Sequence, residues 1–142
     1  MRGTHRGRKI DRGRVMKPIR LLLLLQGGSL LVAALVHGGV IIGGYEHQRA
    51  ATAESVIGSV LLAALALTWL RPSWTRIIGI AAQAFGLVGT LVGAFTIAIG
   101  VGPRTAPDIA YHAVLLALLV LGLWRAILEG GAARAPRRVA AP

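Results

Sequence analysis

The chain has 142 residues, of which 55% are hydrophobic and 15% charged, with a formal net charge of +11 and no cysteine. Its mean hydropathy is +0.68 and its apolar residues come in long blocks, which excludes an ordinary soluble domain and reads as an integral membrane protein. The lack of cysteine excludes disulfides, thiolate metal sites and cysteine nucleophiles.

The first twenty residues hold eight basic side chains against one acid, Asp11. They carry too little apolar surface to offset the entropy of ordering, so residues 1–20 read as a disordered basic tail. Arg8, Lys9, Arg12, Arg14, Lys17 and Arg20 are expected to set topology or to touch anionic lipid headgroups, at about 1 kcal/mol per residue near the surface. No aromatic residues interleave these charges, so nucleic acid is not an expected partner.

Residues 21–44 form the first expected span. Its leading segment is too long for a signal peptide and no small-residue cleavage motif follows, so the helix is read as retained. Gly39 and Gly43 make a small-residue pair suited to helix packing near its end. A polar loop then leads to a short second span over 54–70. Arg71 to Trp74 is a turn, with Trp69 and Trp74 placed as interfacial tryptophans and Ser73 read as the N-cap of the next helix.

The third span covers 75–101, and its apolar run from Ile77 to Val101 has no charge in 25 residues. Within it Gly79, Gln83, Gly86, Thr90, Gly93 and Gly100 fall on one helical stripe. Small residues let backbones approach closely, so this stripe is expected to face other helices. Asp108 reads as a cap for a fourth span over 108–128. Residues 129–142 are rich in Gly, Ala, Pro and Arg and read as a second disordered tail.

Fourteen of the sixteen basic residues lie in the two tails, the middle loop or the end of the fourth span; only Arg49 and Arg104 lie on the other side. That bias predicts a multi-pass protein of the inner (plasma) membrane with both termini cytoplasmic. The expected fold is all-α: an antiparallel four-helix transmembrane bundle, N-in and C-in, formed by residues 21–128. Short loops make consecutive helices neighbours. The lipid bilayer is the first partner. A second copy or a larger membrane complex would cover any small-residue surface left over.

The ionisable groups of the outer side gather in one place. Glu46, His47, Glu54 and Asp108 lie in or beside the outer loops, with Arg49 and Arg104. His37 is expected ~10 Å into the first span and His112 ~6 Å into the fourth, at 1.5 Å per residue. Ionisable residues within spans face the bundle interior or a cavity and mark a site by default. His37 and His112 at matched depth can ligate haem b. Together with His47, Glu46, Glu54 or Asp108 they can instead bind a divalent metal, and the same groups can relay protons or hold a quinone headgroup. Plain structural use also fits: histidines on backbone carbonyls, and acids at helix N-termini.

Catalytic and nucleotide-binding motifs are absent, so an enzyme is not the expected class. The leading expectation is a non-enzymatic membrane component, either an accessory or assembly subunit or an interaction protein. The alternatives are a haem- or metal-binding redox protein using His37 and His112, and a small oligomeric transporter or channel.

Overall fold

The computed structural model describes residues 10–128. The expected tail over 129–142 and the first nine residues lie outside the described residues. Four α-helices follow in order: α1 Ile10–His37, α2 Gln48–Leu70, α3 Thr75–Ala98 and α4 Ala106–Leu128, with a 3₁₀ turn Pro72–Trp74 between α2 and α3. The protein is an all-α, antiparallel four-helix membrane bundle. Each helix packs on its chain neighbours, α4 closes back on α1, and α1 also touches α3 across the diagonal.

All four helices are long and apolar enough to cross a bilayer; the crossing segments are Pro18–His37, Gln48–Leu70, Pro72–Ala98 and Ala106–Leu128. At 1.5 Å per residue each spans a hydrocarbon core of ~30 Å. The burial pattern is that of a protein dissolved in lipid. Leu21, Leu24, Val32, Val88, Phe95 and Val114 are exposed, whereas Gln26, His37, Glu54, Gln83, Thr90 and Asp108 are buried. Lipid solvates apolar side chains as well as a core does, so polar groups turn inward to find partners.

Helix boundaries differ from the sequence reading in ways that place the site. The helix begins at Ile10 within the expected disordered tail; once a helix is nucleated, each added residue costs little. It stops at His37 rather than running to 44. The reason is a Schellman cap: Gly39 takes φ +71°, its N–H reaches Val36 O at 3.0 Å, and Val40 N–H reaches Leu35 O at 2.9 Å. Gly39 and Gly43 therefore lie in the connecting loop and do not form a helix-packing pair. Gly100 ends α3 in the same way, with φ +82° and Val101 N–H on Thr96 O at 2.9 Å. It stands outside the helix and is exposed.

Ser73 sits inside the 3₁₀ turn, and the N-cap position of α3 falls on Trp74, which makes no side-chain cap. α2 starts six residues before the expected 54, because His47 caps it: its Nδ1 accepts the N–H of Ala50 at 3.1 Å. α4 opens with a capping box in which Thr105 is the cap and Asp108 the third helical residue. Asp108 Oδ2 accepts from the N–H of Thr105 at 3.3 Å and from its hydroxyl, and Asp108 N–H donates to Thr105 Oγ1 at 3.3 Å.

At the opposite end, arginines answer the last carbonyls of two helices. Arg20 donates to the Thr68 carbonyl at 2.6 Å and lies 4.4 Å from the Trp69 ring centre, so it ties α1 to the end of α2. Arg76 donates to Ala126 O at 3.3 Å and Ile127 O at 3.4 Å, closing α4. On α3, Gly79, Gln83, Gly86 and Thr90 are buried.

Candidate functional site

Three helices bring their polar side chains together near the ends of α1, α2 and α4. His37 is the last residue of α1 and only 3% exposed. Its Nδ1 lies 2.8 Å from Glu54 Oε2 on α2, and its Nε2 lies 3.1 Å from Asp108 Oδ1 on α4. The backbone fixes the ring: the Schellman cap ends α1 at His37, and the His37 carbonyl accepts His47 N–H at 2.8 Å, which starts α2. Asp108 is held by the capping box of α4.

Two hydrogen bonds on one imidazole require two shared protons. Counted over one histidine and two carboxyl groups, that state carries a net charge of −1, with the imidazolium flanked by two carboxylates or an equivalent tautomer. Every oxygen of the Asp108 carboxyl has a partner. Glu54 differs. Its Oε1 is buried with no hydrogen-bond partner among the described residues. The triad can therefore accept one more proton, and Glu54 Oε1 is the atom left to take it.

His112 lies one turn along α4 from Asp108. Its Nδ1 is 2.8 Å from the Asp108 carbonyl. A carbonyl only accepts, so Nδ1 carries a proton, and in the neutral imidazole Nε2 keeps its lone pair. That Nε2 faces α3 at Gly93, where a Cβ would stand 3.2 Å away. The Tyr111 ring meets the His112 ring edge-on, centroids 5.7 Å apart.

A cavity of about 150 Å³ adjoins the triad. Its polar lining is Glu54, Thr90, Thr96 and His112 with His47 and the Arg49 cation, and Leu30, Ile57 and Leu115 form part of its apolar wall. Thr90 Oγ1, like Glu54 Oε1, is buried and unpartnered among the described residues. A wider groove on the α2–α3 seam shares Arg49, Ala53, Ile57, Gly89 and Val92 with the cavity.

The remaining candidate ligands do other things. His47 accepts Ala50 N–H on Nδ1 and so donates from Nε2 to Val101 O at 3.2 Å, tying the two loops of this end together. Glu46 Oε2 accepts Gly44 N–H at 2.8 Å. That backbone donor holds the Glu46 carboxyl below its ordinary pKa. The loop contact is accordingly kept at neutral pH and lost only as pH falls through the lowered value. Hydrogen exchange at Gly44 should stay protected through mildly acidic pH and speed up below it, whereas Glu46→Gln should show no such step.

Both ring nitrogens of His37 are engaged by carboxylates, which leaves it no lone pair for haem iron in this arrangement. Among the described residues no group of three or more His, Asp or Glu side chains is arranged to hold a metal ion.

A second polar layer lies deeper, where the sequence reading named only Gln83. Gln83 Nε2 donates to Gln26 Oε1 at 2.8 Å, and Gln26 Nε2 donates to the Leu118 carbonyl at 2.9 Å. Between this layer and the triad, Ser29 accepts from Tyr111 OH at 3.3 Å and donates back to the main-chain carbonyl of Gln26 at 3.0 Å. Gln83 packs on Gly122, where a Cβ would fall 2.6 Å from its amide. Gln26 is the one amide of the first span.

No family model matches the chain, and no curated protein and no solved structure matches it either.

Proposed function

We propose that the protein is a small proton-coupled membrane carrier whose Glu54–His37–Asp108 triad keeps two shared protons and takes up a third on Glu54. The observation that supports this reading is the unpartnered, buried Glu54 Oε1 on a carboxyl that both binds His37 and lines a cavity. A purely structural ion pair gains nothing from an unanswered carboxylate oxygen, because burying it costs free energy. A component that only binds other helices leaves the cavity and that oxygen unused. The distribution of basic residues supports the orientation: the tails face the cytoplasm and the triad faces the opposite side.

Protonation of Glu54 removes the net negative charge of the triad and turns Oε1 from acceptor to donor. The groups that face it are His37 on α1, Asp108, Tyr111 and His112 on α4, and His47 and Arg49 at the cavity; α3 contributes Thr90. Below the triad lie two separate polar contacts, Tyr111 to Ser29 and Gln83 to the Gln26 side chain.

Infrared difference spectroscopy on the protein in lipid tests the reading. A pH step should give one buried carboxylic-acid C=O band, absent in Glu54→Gln and retained in Glu46→Gln. Liposomes holding the protein should dissipate an imposed pH gradient, and Glu54→Gln should slow that by about tenfold or more, as loss of a positioned proton carrier does. A spectrum with no pH-dependent carboxyl band in the wild-type protein overturns it.

A further inference from the structure

We propose that the cavity beside Glu54 binds a primary ammonium group, and that the ammonium exchanges with the third proton of the triad. This rests on the proton-binding reading above and names the ligand of the same site.

The polar wall offers acceptors. Glu54 Oε1 is an acceptor when ionised and has no partner among the described residues. In its neutral form His112 offers Nε2 as an acceptor, since its Nδ1 proton goes to the Asp108 carbonyl. Thr90 Oγ1 is unpartnered and can accept. Glu54 is 4% exposed and Thr90 3%, so both are shielded from bulk solvent. A primary ammonium carries three N–H donors and no acceptor. It matches three acceptors one for one, and its charge meets the net −1 of the triad. A quaternary ammonium has the same charge and no donor, so it leaves all three acceptors unanswered, each at the cost of a desolvated polar group.

Size and surroundings narrow the ligand further. A cavity of about 150 Å³ holds a molecule of about benzene size. The apolar wall of Leu30, Ile57 and Leu115 suits a short alkyl chain next to the ammonium. The groove along α2–α3 gives that chain a way out, past Gly89 and Val92. Arg49 lines both spaces, is exposed, and makes no ion pair among the described residues. It stands where an anionic group attached to the ammonium would emerge. The same chemistry can come from a free alkylamine or from the ethanolamine headgroup of a lipid entering by the groove.

The exchange balances. With Glu54 protonated, R–NH₃⁺ enters, the Glu54 O–H bond breaks, the proton leaves to water, and the carboxylate accepts an N–H of the ligand. No bond of the ligand breaks and no co-reactant is needed.

The test uses the full chain in detergent and in nanodiscs. Titration with n-butylammonium should show saturable binding with up to one proton released per ligand, and tetramethylammonium should not bind. Glu54→Gln should weaken butylammonium at least tenfold and Thr90→Val about threefold, the scale for charged and neutral hydrogen bonds. In nanodiscs, native mass spectrometry should retain phosphatidylethanolamine in preference to phosphatidylcholine if the lipid is the source, with retention lost in Arg49→Ala and Glu54→Gln. Butylammonium binding without that preference assigns the site to a free amine. Binding of tetramethylammonium as tight as that of butylammonium, butylammonium binding unchanged by Glu54→Gln, or neither amine source binding at all overturns the proposal. If the pH-dependent carboxyl band persists while no amine binds, the proton reading stands and this one fails.

Discussion

His37→Ala should lower the unfolding free energy by about 3–5 kcal/mol, the usual cost of removing one partner from a buried ionic contact. The loss comes from what is left behind rather than from the imidazole. Glu54 and Asp108 stay in place, because α2 is fixed by its His47 cap and α4 by the Thr105–Asp108 box. Glu54 Oε2 and Asp108 Oδ1 then face an empty space in a site where the two residues are 4% and 8% exposed. Like-charged carboxylates without a shared cation cannot both remain ionised there. One must take a proton, or water must enter. His37→Gln should recover part of the loss, since its amide can donate to one carboxylate and fills much of the space.

The combined change His37→Leu, Glu54→Leu and Asp108→Leu is the informative control. Replacing a whole buried ionic group by apolar side chains of similar volume is often neutral or stabilising. The triple variant should therefore recover most of what His37→Ala loses, short of about 1 kcal/mol for the α4 capping box that Asp108→Leu also removes, while showing no carboxyl band and no proton flux. Stability that recovers while function does not would separate the chemical role of the triad from its role as a clamp. Unfolding in mixed micelles, followed by helical circular dichroism, measures all three. A His37→Ala variant within 1 kcal/mol of the wild type would mean that the three groups are not buried together.

The number and direction of the helices could be read from the sequence because lipid demands long apolar runs, and those runs are countable. The rotation of each helix could not. In a soluble bundle the apolar stripe marks the inner face; here Leu24 and Val32 face outward while Leu23 and Leu30 face inward on the same helix. Composition does not distinguish them. That is why the sequence named His37, Glu54 and Asp108 as candidates yet could not say that one imidazole joins the other two. Helix ends failed for a different reason. Gly39 and Gly43, four apart, look like a packing pair, whereas left-handed backbone at Gly39 is what ends α1 at His37 and buries its ring. A single amide such as Gln26 in an apolar run carries no signal of its own until Gln83 is found opposite it.

Gly58→Leu should cost about 3 kcal/mol or more, toward the upper end of overpacking effects, and should also remove the Glu54 proton signal. α1 and α2 meet through two glycines. A Cβ on Gly58 would lie 3.0 Å from the carbonyl oxygen of Gly27 and 3.1 Å from Leu30 Cβ; one on Gly27 would lie 2.9 Å from Leu62 and 3.2 Å from the carbonyl oxygen of Gly58. Backbone oxygen cannot rotate away as a side chain can, so a leucine there must drive the helices apart. Gly58 is one turn along α2 from Glu54, ~6 Å away at 1.5 Å per residue. The His37–Glu54 contact is 2.8 Å, and a separation of about 1 Å takes it past hydrogen-bonding range. Packing at the seam is thus coupled to chemistry at the site. Gly28→Leu is the matched control: a Cβ there meets nothing within 4 Å, so the same side chain one position from Gly27 should change neither stability nor the carboxyl band. If Gly58→Leu lowered stability but left the band in place, the seam would be a packing contact alone, and the triad would be set by the loop and caps at the ends of α1, α2 and α4.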